Sequence, residues 1–152
     1  MAKIHILVGS VMGTAEGVAA AMDAELRALG HSSRVNFSPE VADLLGDAEE
    51  ILLVCTSNTG SGDLPDNIQP LYLALTRDYP AIAGRRYGMV NLGDSSYVSF
   101  NEGGRALDAA FEDLGARRLG EPLVLDASEG EDPEELARTW VKSWAEAHLG
   151  AA

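Results

Sequence analysis

The chain has 152 residues, 46% of them hydrophobic and 23% charged, with one cysteine and 24 acidic against 11 basic side chains, a net charge of −13. Such a length and balance suit one soluble domain, residues 1–152, whose core needs no covalent staples. The acidity disfavours nucleic acid and anionic membrane, both of which need a basic face, and the lone Cys55 excludes an internal disulfide framework and suits a reducing compartment.

From the amino end, Ile4-His5-Ile6-Leu7-Val8 reads as a buried strand. It is too short for the apolar core of a secretory signal or for a membrane span, so the expected location is the cytoplasm. Gly9-Ser10-Val11-Met12-Gly13-Thr14-Ala15 joins it to a helical pattern over 14–29, where Val18, Met22, Leu26 and Leu29 share a face and Gly30 is a natural stop. Ser33 to Phe37 reads as a second strand, with a short helical piece from Pro39 to Leu45. Ile51-Leu52-Leu53-Val54-Cys55 is the most apolar run and fits a central strand covered on both faces.

A polar loop from Ser57 to Pro65 then opens a helix expected from Asp66 to about Asp78, with Pro70 in or near its first turn. Tyr87 to Leu92 is a fourth strand; a second polar loop, Gly93 to Phe100, leads to a helix from Asn101 to Leu114. Leu119 to Leu125 is a fifth strand in which Gly120 and Pro122 imply an irregular start or an edge position. The last helix has Asp132 as N-cap, Pro133 in its first turn and Glu135 to complete a capping box. Trp140 and Trp144, four apart, pack that helix on the sheet. Five strands alternating with helices imply a parallel sheet covered on both faces, with the loops after strands one, three and four opening on one edge.

A strand-to-helix turn gathers free backbone N–H groups and the positive end of a helix dipole, and Ser10 and Thr14 add hydroxyls, so the first loop can cradle a phosphate without a cation. It is neither a Gly-Lys-Ser/Thr P-loop nor a Gly-x-Gly dinucleotide turn. Taken alone it is equally an ordinary turn. Phosphatase chemistry of the Cys-x5-Arg kind fails because Ser61 stands where the arginine would be. His5, His31 and His148 share no metal-ligand spacing.

Three stretches in order carry a resemblance: the first loop, Gly-Asp-Leu-Pro-Asp-Asn at 62–67, and Leu-Gly-Asp-Ser-Ser-Tyr-x-x-Phe-Asn at 92–101. Together they resemble the flavodoxin family, and within it the chain looks like the short MioC-type flavodoxins and the FMN domains of diflavin reductases. The resemblance covers nearly the whole chain. It implies a flavodoxin-like α/β three-layer sandwich, a five-stranded parallel sheet of order 2-1-3-4-5 with helices on both faces, and an FMN site at the carboxyl edge. That strand order comes from the resemblance, not from the residues.

By the same resemblance, Ser10, Val11, Met12, Gly13, Thr14 and Ala15 hold the FMN phosphate. Ser57, Asn58, Thr59 and Gly60 border one side of the isoalloxazine and its N5 edge, where the Gly60 carbonyl can turn on reduction. Leu92, Gly93, Asp94, Ser95, Ser96, Tyr97, Val98, Ser99, Phe100 and Asn101 meet the pyrimidine edge and the other face, with Tyr97 as stacking ring. Asp126 matches an acidic position near the flavin. Thr59 stands where many relatives carry an aromatic or histidine, leaving the inner flavin face to aliphatic groups, to Leu64 or to a tryptophan.

The function so implied is an electron carrier, a monomer fed by a separate, basic-faced NAD(P)H-flavodoxin reductase and serving an acceptor redox enzyme. The alternative is an FMN-dependent NAD(P)H quinone or nitro reductase acting directly on small molecules, which Tyr97 opposes by covering the flavin. A phosphorelay receiver shares the topology but needs acids where Gly9-Ser10 and Cys55-Thr56 stand.

Overall fold

The computed structural model describes residues 2–11, 13–58, 63–96 and 101–150. Side chains alternate across a strand, and that alternation sorts the apolar residues into two cores. In β1 (Lys3–Gly9) and β3 (Ile51–Ser57), Ile4, Ile6, Val8, Ile51, Leu53 and Cys55 face one side, while Leu7, Leu52 and Val54 face the other. The first side is covered by α1 (Thr14–Ala28) through Val18, Met22 and Leu26, and by α5 (Pro133–His148) through Ala137, Val141 and Trp144. The second is covered by α2 (Val41–Leu44), α3 (Gln69–Arg77) and α4 (Glu102–Asp113), which contribute Leu44, Leu71, Leu75, Leu107 and Phe111.

The sheet is parallel throughout, in the order β2 (Ser32–Asn36), β1, β3, β4 (Arg86–Gly93), with the two short strands β5 (Arg117–Arg118) and β6 (Leu123–Asp126) both paired to β4. The expected order 2-1-3-4-5 is present, with a sixth strand. What reads as one fifth strand from Leu119 to Leu125 is broken in two. Gly120 takes a left-handed φ of 76° and Pro122 has no N–H to donate, so the ladder lapses between them.

The third helix also starts later than its sequence pattern. Residues 66–68 form a turn, and the helix begins at Gln69 with Pro70 in its first turn, the one part of a helix that tolerates a missing N–H. At α5 the Asp132 carboxylate accepts from Glu134 N at 3.0 Å as expected of an N-cap, whereas Glu135 pairs with Arg138; the reciprocal capping box is instead at α2, between Glu40 and Asp43. Trp144, stacked on Trp140 of the same helix with ring centroids 5.5 Å apart, is buried in the core beneath the sheet and donates from Nε1 to Leu119 O at 2.8 Å, which fastens α5 to the segment between β5 and β6. No helix among the described residues is long and apolar enough to cross a membrane.

The histidines have separate structural surroundings. His5 is buried with Nδ1 3.5 Å from Glu50 Oε1, and the Glu50 carboxylate accepts from Nε and a terminal nitrogen of Arg34. His31 accepts from Ala2 N at 3.0 Å, and His148 lies against Trp144. Burial, and then Arg34, hold His5 below its ordinary value of 6.5; burial, and then the N-terminal ammonium, do the same to His31. A histidine depressed in the fold binds its proton more weakly there than in the unfolded chain, so these residues leave stability intact above about pH 6.5 and reduce it as pH falls from there toward their folded pKa values. The urea midpoint is therefore lower at about pH 5.5 than at about pH 7.5, and the drop is smaller in His5→Gln. An equal drop in the two proteins would contradict this assignment.

Candidate functional site

The carboxyl ends of β1, β3, β4 and β6 open on one edge, and a cavity of about 620 Å³ lies there. That volume is in the range of small-molecule sites. Of the residues proposed from sequence, Val11, Thr14, Ser57, Asn58, Leu92, Gly93, Asp94, Asn101 and Asp126 line it. Ser10 and Gly13 belong to the same turn as Val11, Ala15 is buried in the core beneath it, and Ser95 and Ser96 follow Asp94. Met12, Thr59, Gly60, Tyr97, Val98, Ser99 and Phe100 lie outside the described residues.

At one end of the cavity, β1 hands over to α1. Gly13 is the N-cap with a φ of 87°, and no side chain among the described residues caps the helix, so the first-turn amides keep their donors for another acceptor. Ser10 Oγ accepts from Gly13 N at 3.0 Å, which leaves the hydroxyl proton to donate outward. Below the turn, the Cys55 thiol contacts Ala15 O at 3.6 Å, and burial pushes its pKa up to about 12. It therefore stays neutral and adds no negative charge under an anion.

The other loops are tied by side chains. Asn58 donates from Nδ2 to Leu92 O at 2.9 Å and accepts from Gly104 N at 3.1 Å, so it joins the end of β3 to the end of β4 and to α4. Asp126 accepts from Ser95 N at 2.9 Å, from Ser128 N at 3.0 Å and from Ser128 Oγ at 2.8 Å; the two serine hydroxyls are 2.7 Å apart. Those bonds, Ser95 first, hold the Asp126 carboxyl far below the usual carboxylate range. Asn101, one of the lining residues, is buried in a left-handed conformation with φ 63°, and its Oδ1 is closed off from solvent with no partner among the described residues. An orphaned buried acceptor beside a cavity is a place for a ligand donor.

The remaining wall is formed by Leu125, Ala127, Gly130, Glu131, Pro133 and Leu136. Sequence reasoning missed this side because, Glu131 apart, its residues carry little chemistry. It also left Asn67 unassigned, although the Gly-Asp-Leu-Pro-Asp-Asn motif pointed at it. Leu64 is buried in the core beneath α3 and α4, and both tryptophans lie on α5.

The uncapped amides, the hydroxyls, the cavity size and the orphaned Asn101 oxygen fit a phosphorylated small molecule. Among the described residues the lining contributes Asp94, Asp126 and Glu131 but no cation, so an anionic group there would have to be held by neutral donors.

The family model described as flavodoxin matches residues 6–140. Flavodoxin YqcA of Escherichia coli is 43% identical over 144 residues, 95% of this chain and 97% of that protein. Protein MioC of Escherichia coli is 34% identical over 144 residues, again 95% of this chain and 97% of the relative. Among solved structures, a cysteine-to-alanine mutant of flavodoxin from Pseudomonas aeruginosa superposes with a TM-score of 0.88 at 43% identity, covering 97% of this chain and 99% of that one.

Close packing fixes the floor of the first loop. A Cβ at Gly9 would lie 2.4 Å from Thr56 Oγ1 and 2.7 Å from Ile68 Cγ2. Gly9→Ala therefore destabilises the protein by about 1–3 kcal/mol in urea unfolding, the usual cost of overpacking; unchanged stability would show that β1 is free to move away from β3 and Ile68.

Proposed function

The chain belongs to the flavodoxin family, and on that premise we propose that it binds FMN at the carboxyl edge of the sheet and carries single electrons from a separate NAD(P)H-dependent reductase to an acceptor enzyme. The observation that carries this reading is the convergence of the loops after β1, β3 and β4 on one cavity with an uncapped helix N-terminus at its end.

In this reading the α1 amides and the Ser10 and Thr14 hydroxyls bind the phosphate. Asn58 and Asp126 keep the loops that flank the ring in place, and the Asn101 oxygen accepts a hydrogen bond from the ring edge. Bound FMN supplies one-electron transfer, and the protein tunes it through its surroundings. Asp94, Asp126 and Glu131 disfavour added negative charge in the cavity, which favours a low potential. The net charge of −13 steers the protein toward a basic-faced partner, with salt screening that attraction over about 8 Å. A single buried thiol suits a reducing compartment, and the cytoplasm is the location this reading expects.

Titration of the apoprotein with FMN gives saturable one-to-one binding, and NADPH is oxidised only when a reductase is added. Failure to bind FMN would overturn the cofactor, and steady NADPH oxidation by the protein alone would overturn the carrier role. Ser10→Ala weakens FMN binding by about 1.5–3 kcal/mol, the worth of a hydrogen bond to a charged group, measured by calorimetry; undiminished affinity would remove Ser10 from the cradle.

A further inference from the structure

Asn67 lies in the turn before α3, 57 residues from Ser10, yet its Oδ1 accepts from Ser10 N at 3.0 Å. Its Nδ2 donates to Val8 O at 2.7 Å and to Phe37 O at 3.0 Å. One side chain thus joins the end of β1, the first residue of the phosphate turn and the segment after β2. The orientation of the amide is fixed by these partners. Turned over, Oδ1 would face two carbonyl oxygens and Nδ2 would face an N–H. The neighbouring Ile68 packs under Gly9, so the anchor cannot drift from the strand it holds.

This arrangement decides which groups of the turn are available to an anion. The Ser10 amide is engaged below, so Ser10 offers its hydroxyl, while the backbone donors lie further along the turn and in the first turn of α1. We propose that Asn67 is a positioning residue for the phosphate end of the site, holding the turn in its binding shape before the ligand arrives. The proposal rests on the FMN reading given above. A loop ordered in advance loses less conformational freedom on binding, and the benefit falls on the group the loop touches.

The test compares FMN with riboflavin, which has the same ring and ribityl chain but no phosphate. Asn67→Ala lowers FMN affinity about tenfold or more and changes riboflavin affinity less than about twofold, on the scale of one lost hydrogen bond. Asn67→Asp keeps an acceptor for Ser10 N but sets a carboxylate against two carbonyls and near the phosphate; it lowers FMN affinity further, and added salt recovers part of that loss. Equal losses for both flavins, or no loss for FMN, would overturn the proposal. Wild-type protein that binds neither flavin would instead overturn the FMN reading. Hydrogen exchange on the wild-type protein needs no variant: the Ser10 amide is protected before FMN is added and gains no protection from it, whereas the Thr14 and Ala15 amides become more protected. A Ser10 amide that is protected only after FMN binds would also overturn the proposal.

Discussion

Beyond the ends of the strands the backbone ladder stops, and side-chain hydrogen bonds take over the holding of the chain. Asn67 fastens the turn after β1, Asn58 joins the loop after β3 to β4 and α4, and Asp126 joins the loop after β4 to the segment after β6. These ties bring together segments distant in sequence, so the shape of the edge depends on the sheet register that sets those segments side by side. The cavity is thus a consequence of strand order as much as of loop sequence.

The charge distribution follows the same division. The chain is strongly acidic, and among the described residues Arg34, Arg118 and Arg138 are paired with carboxylates while Arg85 is bound to the Leu44 and Glu50 carbonyls. The cavity itself offers amides, hydroxyls and acids. A phosphate can be accepted on those terms because partial charges from a helix terminus are fixed in place and need no counterion of their own.

The alternation of strands and helices was legible because the apolar runs are short and bounded by glycine, proline and polar clusters. Ile51 to Cys55 reads as a central strand and is one. Boundaries were less legible where tertiary contacts decide them. The turn at residues 66–68 stays out of α3 while Asn67 is tied to three other segments; the split of the fifth strand, by contrast, falls at Gly120 and Pro122, which already mark it as irregular in the sequence. In the site, loops bearing hydroxyls, glycines and acids announced themselves. Ala127, Pro133 and Leu136 did not, since they contribute only a wall, and Asn67 acts through partners that no local pattern shows.

In this reading the carboxyl edge of the sheet is a single ligand site assembled from these loops. Amide chemical-shift mapping by two-dimensional NMR, with FMN added to labelled apoprotein, tests it most directly. The largest changes are expected to fall together on Val11 to Ala15, Ser57 to Asn58, Gly93 to Ser96, Asn101 and Asp126. Changes centred instead on the amino edge, around His5, Glu50 and Arg85, would contradict it.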